Sequence, residues 1–249
     1  MRLKDKVAVI TGGASGFGEV MARRFVAEGG KVMVADLNAA GAKAVADSIG
    51  DAARSIGADV TKAAEADAMI AATVDAFGKL DILVNNAGAP QFINNFEDVT
   101  EDEIDLIFNV NVKSWLLTSR AAIPHLASNG GGSIINTASV AGLRPRAGAA
   151  WYNASKAAAC SLTLTMAAEL AAKNIRVNAL CPVAAETPLF EGVVGEITDA
   201  KRERFTATIP LGRLAVPDDV ASAAVYLASD EATFMTGVLL PIDGGRTAM

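Results

Sequence analysis

The sequence Lys6-Val-Ala-Val-Ile-Thr-Gly-Gly-Ala-Ser-Gly-Phe-Gly18 lies close to the start of the chain. The apolar run at 6–10 is typical of a buried parallel strand, and the segment 19–28, which ends at Gly29-Gly30, is typical of a helix. Glycines at 12, 16 and 18 occupy the turn between them. Glycine lets the backbone approach a pyrophosphate, and a helix N-terminus attracts its charge. This order of strand, turn and helix predicts a dinucleotide-binding unit.

A carboxylate follows the second predicted strand, which covers 31–35. Asp36 lies about 20 residues after the glycine turn, where a carboxylate can accept both hydroxyls of an adenosine ribose and repel a 2′-phosphate. Positions 13, 14 and 37 carry no arginine or lysine that could bind such a phosphate. The sequence therefore predicts NAD rather than NADP. A structural role for Asp36, as the N-cap of a helix over 38–49, is compatible with this prediction.

Strands and helices continue to alternate towards the C-terminus. The pattern predicts further strands at 53–58, 80–84, 133–138, 175–181 and 237–242, and helices at 61–77, 100–127, 151–173 and 217–227. We therefore expect an α/β fold in a single domain over 1–249, with a doubly wound, seven-stranded parallel sheet and helices on both faces. Residues 186–210 are rich in Thr, Gly and Pro, and this irregular pattern predicts a mobile lid over the site.

A hydroxyl, a phenol and an ammonium are predicted to converge after the fifth strand. Ser139 follows that strand, and Tyr152 and Lys156 are four residues apart on one helical face. A nearby cation, a helix N-terminus and a positively charged nicotinamide ring would all favour the phenolate, and lowering its pKa to ~7 takes about 4 kcal/mol. Tyr152 could then exchange a proton with an alcohol or carbonyl oxygen that Ser139 holds. Taken alone, such a Tyr/Lys pair is more often found on a solvated helix.

Two further polar positions lie where a buried side chain needs partners. Asn85 and Asn86 follow the fourth strand, and we expect Asn86 both to join strand ends and to border the cofactor. Asn111 lies in mid-helix, which its propensity disfavours, so a chain of water molecules is one candidate partner.

Composition excludes several functional classes. The formal net charge of -6 and a pI of about 4.9 indicate no basic surface for nucleic acid. The N-terminus is charged and no apolar run reaches the ~20 residues of a membrane span, so we expect no signal peptide, no membrane partner and a cytoplasmic location. Cys160 and Cys181 lie in apolar surroundings and are predicted to be buried thiols, and His125 has no neighbours for a metal site.

The motifs Thr11-Gly-x-x-x-Gly-x-Gly18, Asn85-Asn-Ala-Gly88, Asn111, Ser139 and Tyr152-x-x-x-Lys156 together resemble a classical short-chain dehydrogenase/reductase, a Rossmann-fold family. The resemblance covers residues 4–245. It implies Tyr152 as acid/base, Ser139 as the group that polarises the substrate oxygen, and Lys156 as the residue that binds the nicotinamide ribose. It further implies that Asn111 holds a water that relays protons through Lys156, and that the protein is a homotetramer.

The resemblance also implies a set of residues that bind NAD. Asp59 and Val60 would flank the adenine, and Thr187 would contact the nicotinamide amide. The full set is Gly12, Ser15, Gly16, Phe17, Gly18, Asp36, Leu37, Asp59, Val60, Asn86, Ala87, Gly88, Tyr152, Lys156, Pro182, Val183 and Thr187. One position departs from the family, which usually has glycine after Pro182, whereas this chain has Val183.

The substrate pocket is predicted from what surrounds the reacting groups, and its walls are mostly apolar or small. They are Gln91, Phe92, Val140 to Leu143, Val183, Ala184, Ala185, Leu189 and Phe190. This pattern predicts a compact secondary alcohol or ketone, or a polyol or sugar. Arg144 and Arg146 favour solvent or subunit contacts, with an anionic substrate group as the alternative. A 3-oxoacyl reductase, which Asp36 disfavours, and a non-catalytic cofactor-binding regulator are the competing functions.

Overall fold

The computed structural model describes residues 1–195 and 198–248 of the chain. Within them lies one parallel sheet of seven strands in the order β3-β2-β1-β4-β5-β6-β7. The predicted doubly wound α/β fold is therefore confirmed. The strands are β1 Val7–Thr11, β2 Lys31–Asp36, β3 Ala53–Gly57, β4 Ile82–Asn85, β5 Gly132–Thr137, β6 Ile175–Pro182 and β7 Leu239–Ile242.

Helices cover both faces of this sheet, because successive strand residues point to opposite faces. Ile10 packs in one core with Phe25 and Val220, whereas its neighbour Val9 packs in the other with Met69. The helices are α1 Gly16–Ala27, α2 Ala39–Ile49, α3 Ala63–Phe77, α4 Glu101–Phe108, α5 Ser114–Ser128, α6 Val140–Leu143, α7 Ala150–Leu170, α8 Pro188–Val194, α9 Asp199–Thr206 and α10 Pro217–Ala228. In the described part of the chain, no helix is both long enough and apolar enough to cross a membrane.

The predicted helix 100–127 is interrupted by a π-helical segment, Asn109–Lys113, between α4 and α5. Thr100 and Glu103 form the expected capping box at the start of α4. The π-helical turn contains Asn111, whose side chain is fully buried. An extra residue in one turn changes the direction of a side chain, which is why such turns are frequent at functional sites.

Two sequence-based predictions are corrected here. The segment 186–210 is not irregular, since it contains α8 and α9, whose N-caps are Thr187 and Thr198. Residues 196 and 197 of the predicted lid lie outside the described residues. Helix α2 is capped by Asn38, whose side chain accepts from the Gly41 amide, and not by Asp36.

Candidate active site

A cavity of about 500 Å³ opens at the carboxyl ends of the strands, beside the neighbouring strands β1 and β4, where the strand order reverses. Most of the predicted site residues line it together. They are Gly12, Ser15, Gly16, Phe17, Asp36, Leu37, Asp59, Val60, Asn86, Ala87, Gly88, Gln91, Ser139, Val140, Tyr152, Lys156, Pro182, Val183, Ala184, Ala185, Thr187, Leu189 and Phe190.

The glycine turn has the shape that a pyrophosphate requires. Gly12 has a φ of +64°, and a Cβ there would lie 2.9 Å from Ala87 Cα. Gly18 faces the Gly12 carbonyl so closely that a Cβ would clash with it, so this glycine supports the turn and does not line the cavity. Helix α1 begins here, and its N-cap Ser15 makes no side-chain hydrogen bond to the first turn. The backbone amides in the first turn of α1, which have no partner within the helix, lie at its positive end and fit a bound anion.

The carboxylates of Asp36 and Asp59 border the same cavity. The Asp36 side chain accepts hydrogen bonds from the Ala14 amide at 3.0 Å and the Asn38 amide at 2.8 Å. These bonds fix the carboxylate beside the glycine turn and leave lone pairs for ribose hydroxyls. Asp59 accepts from the Thr61 hydroxyl at 2.7 Å, which lowers the pKa of its carboxyl.

Asn86 joins the ends of two strands. Its Nδ2 donates to the carbonyls of Thr11 at 2.9 Å and Gly12 at 3.1 Å, and its own amide donates to the Thr11 hydroxyl. The predicted structural role of Asn86 is therefore confirmed. Because Gly12 belongs to the turn, this asparagine also holds the glycine turn against β4.

Ser139, Tyr152 and Lys156 converge on one wall of the cavity. Ser139 follows β5 and caps the short helix α6, while Tyr152 and Lys156 project from the first turns of α7. Lys156 is 4% exposed, and its Nζ donates to the Thr137 carbonyl at 2.8 Å. The same Nζ lies 5.7 Å from the centre of the Tyr152 ring.

Burial dominates the electrostatics of this group. It lowers the pKa of Lys156 to about 8, because little stabilises the ammonium away from water. Burial also raises the pKa of Tyr152, while its hydrogen bond with Ser139 and the charge of Arg146 act in the opposite direction. In the protein without cofactor the pKa of Tyr152 is therefore raised, since desolvation outweighs the neighbouring charges. The lowered pKa expected with a nicotinamide ring beside the phenol stays a prediction.

Asn111 finds its partners in the protein. Its Oδ1 accepts from the Ala89 amide at 2.8 Å, and its Nδ2 donates to the Ala89 carbonyl at 3.0 Å and the Ser155 hydroxyl at 3.1 Å. The Asn111 side chain thus connects the π-helical turn to the loop that follows β4 and to helix α7. Both amide protons are used, so water is not needed to satisfy them.

The two cysteines are buried free thiols, as predicted. Cys160 lies one turn after Lys156 on α7, and Cys181 lies in β6. A hydrogen bond between the thiols is the main cause that lowers the pKa of Cys160 and raises that of Cys181. No group of three His, Cys, Asp or Glu that could hold a metal ion exists among the residues described.

Gln91 has a role that the sequence did not indicate. It is 3% exposed, and its Oε1 accepts from the Tyr152 backbone amide at 2.9 Å. That amide belongs to the first turn of α7, where it has no partner within the helix. Gln91 therefore caps the helix that carries the reactive tyrosine. Its Nε2 is buried and has no hydrogen-bond partner within 1–195 and 198–248, so it is a candidate donor to a substrate oxygen.

Three predicted wall residues, Phe92, Gly142 and Leu143, do not line this cavity. Phe92 is 62% exposed and lies in an adjoining cavity, and Leu143 is also exposed. Residues from distant parts of the chain take their place, namely Val193, Phe205, Thr208 and Arg246, together with Arg144 and Arg146. No local pattern marks Arg246 as a site residue, because only the folded chain brings it here.

Comparison with known proteins shows the family. The family model described as "Enoyl-(Acyl carrier protein) reductase" matches residues 12–247. The chain is 47% identical to 4-formylbenzenesulfonate dehydrogenase of Comamonas testosteroni over 99% of each chain. It is 43% identical to 2,5-dichloro-2,5-cyclohexadiene-1,4-diol dehydrogenase of Sphingobium indicum, over 98% of this chain and 97% of the relative.

A solved structure agrees with these relatives. The crystal structure of 3-ketoacyl-(acyl-carrier-protein) reductase from Brucella melitensis, complexed with NADH, superposes with a TM-score of 0.94 at 48% identity. The alignment covers 98% of this chain and 99% of that one. The chain belongs to the short-chain dehydrogenase/reductase family, and the predictions of an enzyme of this family that uses NAD(H) are confirmed at the level of the family.

Proposed function

We propose that the protein interconverts a compact secondary alcohol and its ketone, with NAD as the hydride acceptor. One observation carries this proposal: the hydroxyls of Ser139 and Tyr152 share a cavity with buried Lys156 and with the Asp36 end of the dinucleotide-binding turn. The name of the relative from Sphingobium indicum, a dehydrogenase of a diol, supports the same class of reaction. That of the relative from Comamonas testosteroni, for a formyl compound, supports a dehydrogenase in general.

Bound NAD would supply the acceptor for the hydride of the alcohol carbon. The glycine turn would hold its pyrophosphate, and Asp36 would bind the ribose hydroxyls and exclude a 2′-phosphate. Thr187 lies near Gly16, with its Cβ 3.6 Å from where a Cβ of that glycine would be, and would contact the nicotinamide end. The other residues of the NAD-binding set that the sequence predicts would bind NAD as well, Gly18 by supporting the glycine turn.

Ser139 would donate a hydrogen bond to the substrate oxygen, and Tyr152 would remove the hydroxyl proton as the carbon loses its hydride. Lys156 would stabilise the tyrosinate formed on the way. Asn111 would position this group through Ser155, which follows Tyr152 by three residues and donates to its carbonyl. The water relay predicted for Asn111 remains part of this proposal.

The proposal includes a homotetramer in the cytoplasm. Exposed leucines support an interface between copies, since Leu106 and Leu116 lie on α4 and α5 and Leu164 lies on α7. Free thiols suit a reducing compartment. We also propose one domain over 1–249, with α8 and α9 as the parts of a lid that close over the substrate. Light scattering on the purified protein measures the number of subunits.

A 3-oxoacyl reductase is the second candidate, and the likeness to the 3-ketoacyl-(acyl-carrier-protein) reductase of Brucella melitensis favours it. Steady-state rates with NAD and NADP, over secondary alcohols, polyols and a 3-oxoacyl thioester, separate the two functions. Tyr152→Phe removes only the hydroxyl and should lower kcat by at least about 10² while NAD binding persists. A near-normal kcat in this variant would contradict the proposed mechanism, and absence of turnover in the wild type would favour a regulator.

A further inference from the structure

Three arginines gather beside the substrate end of the cavity. Arg146 and Arg246 line both this cavity and the adjoining one, and Arg204 lines the adjoining one. The two cavities also share Val193, Phe205 and Thr208, so the second is a continuation of the first towards solvent. We call Arg146, Arg204 and Arg246 the arginine cluster. It lies at the opposite end of the cavity from Asp36, where the adenosine would be bound.

Within the described residues, the positive charge of the cluster is offset only in part, by the Asp243 carboxylate, whose pKa Arg246 helps to lower. Among the described residues, no carboxylate lines the adjoining cavity, and no ion pair involves a member of the cluster. Nearby arginines differ: Arg202 pairs with Glu186 and Asp199, and Arg213 pairs with Asp219. Burial and the repulsion from Arg246 and Arg204 lower the pKa of Arg146. Three positive charges with one carboxylate near them and no ion pair among the described residues favour binding of an anion.

Two members of the cluster, Arg146 and Arg246, make contacts that orient them. The Arg146 guanidinium lies over the Phe205 ring, 4.9 Å from its centre, and the Arg146 carbonyl accepts from Asn153 Nδ2 at 2.7 Å. Arg246 donates to the Thr208 carbonyl at 3.4 Å. Arg146 is close enough to Tyr152 for its charge to influence the phenol. An anion bound by this cluster would therefore belong to the molecule that reacts at Tyr152.

We propose that the arginine cluster binds an oxyanion on the substrate, a carboxylate or a sulfonate, while the substrate's hydroxyl or carbonyl lies against Ser139 and Tyr152. The inference rests on the proposed function and narrows it: the substrate is a compact hydroxy or oxo acid and not a neutral polyol. Guanidinium groups suit this task, because they bind planar oxyanions through paired hydrogen bonds. Gln91 Nε2, buried and unpaired among the described residues, supplies a further donor on the same side.

The test compares each acid with its methyl ester, which keeps the reacting carbon and removes the charge. Pairs such as 3-hydroxybutyrate and methyl 3-hydroxybutyrate, and 4-acetylbenzoate and its methyl ester, are assayed for kcat/KM with NAD or NADH. Arg246→Gln should reduce the acid-to-ester ratio of kcat/KM by about 10-fold or more, as expected for loss of a charged hydrogen bond. Arg246→Lys should restore part of the ratio. Arg120→Gln, on an exposed part of α5, removes the same charge elsewhere and is the matched control.

Calorimetric binding of benzoate to the enzyme with NADH gives a readout without turnover. The dissociation constant should rise in Arg146→Gln and Arg246→Gln but not in Arg120→Gln. A wild-type preference for esters, or an acid-to-ester ratio unchanged in both cluster variants, would overturn the proposal. So would equal losses on acid and ester together with a change in subunit number, since the arginines would then serve a subunit contact. Turnover of neutral alcohols alone would refute only the anion subsite, whereas no turnover of any alcohol or ketone would refute the proposed function.

Discussion

Removing the buried charge of Lys156 should change how stability depends on pH. The pKa of this lysine falls from an ordinary 10.5 to about 8 in the fold. One pKa unit corresponds to about 1.4 kcal/mol, so the folded protein carries a cost of roughly 3 kcal/mol for keeping the ammonium buried. Lys156→Met removes this cost and also removes the hydrogen bond to the Thr137 carbonyl, so a measurement at one pH reports the sum of two opposing effects.

The pH dependence separates the two effects. Below pH 8 the lysine is charged in both states and the full cost is present. Between pH 8 and 10.5 the unfolded chain binds the proton and the folded protein does not, so stability of the wild type should rise with pH relative to Lys156→Met. Above 10.5 both states are neutral and the difference becomes constant. The lost hydrogen bond changes little over this range, so it offsets the curves without changing their slope.

The assay is urea unfolding of both proteins at pH 7, 8, 9 and 10, without cofactor. The difference in unfolding free energy between wild type and Lys156→Met should move by about 1.4 kcal/mol per pH unit above pH 8, towards roughly 3 kcal/mol. Titrating groups far from Lys156 are common to both proteins and cancel in the difference. Cys160 and Cys181 interact with Lys156, so both are replaced by alanine in the two proteins that are compared. A flat difference over the whole range would show that the lysine is not desolvated as its burial indicates.

Three further predictions test the ends and the walls of the cavity. Asp36→Ala with Leu37→Arg should shift the ratio of kcat/KM for NADP over NAD upwards by about 10- to 100-fold, because a guanidinium then replaces a repelling carboxylate; equal use of both cofactors by the wild type would contradict this. Val183→Gly should raise relative kcat/KM for bulkier ketones in a size series, and a wild-type optimum at polycyclic or long-chain substrates would disprove the compact pocket. Gln91→Leu removes the cap from the Tyr152 amide and should cost about 0.5–2 kcal/mol in urea unfolding while lowering kcat, whereas Gln91→Glu keeps the acceptor and should retain more of both.

The parts of the site that could be predicted are those encoded by adjacent residues. The glycine turn and Asp36 lie at the ends of neighbouring strands, and the helical spacing of Tyr152 and Lys156 places both on one face. What the sequence could not reveal depends on distant contacts. The Gln91 bond to Tyr152 joins residues 61 apart in the chain, and Arg246 reaches the cavity only because the chain after β7 returns to it.

The two helices of the predicted lid do have local signals in the sequence. Thr187-Pro188 is an N-cap followed by proline at the first helical position, and Thr198-Asp199 begins α9 in a similar way. Helices of seven and eight residues are too short to show a clear apolar periodicity. The raised pKa of Tyr152 in the protein without cofactor could not be read from the sequence for another reason, since a sequence shows which charges are near but not how much water they lose.

The opposite pKa shifts of Tyr152 and Lys156 have one cause and explain how the pair can still react. Lys156 is buried and Tyr152 is half-buried, and burial disfavours ammonium and phenolate alike. The lysine Nζ lies 5.7 Å from the centre of the Tyr152 ring, and at that separation and an effective dielectric constant of about 20 two unit charges attract by ~3 kcal/mol. This attraction offsets roughly the cost of burying the lysine and leaves the cost of forming the phenolate to other groups. Those in place are Ser139 and the charge of Arg146, both of which act to lower the pKa of Tyr152. Arg146 would therefore serve two purposes that compete, because an anion bound to it also weakens the help that it gives to Tyr152.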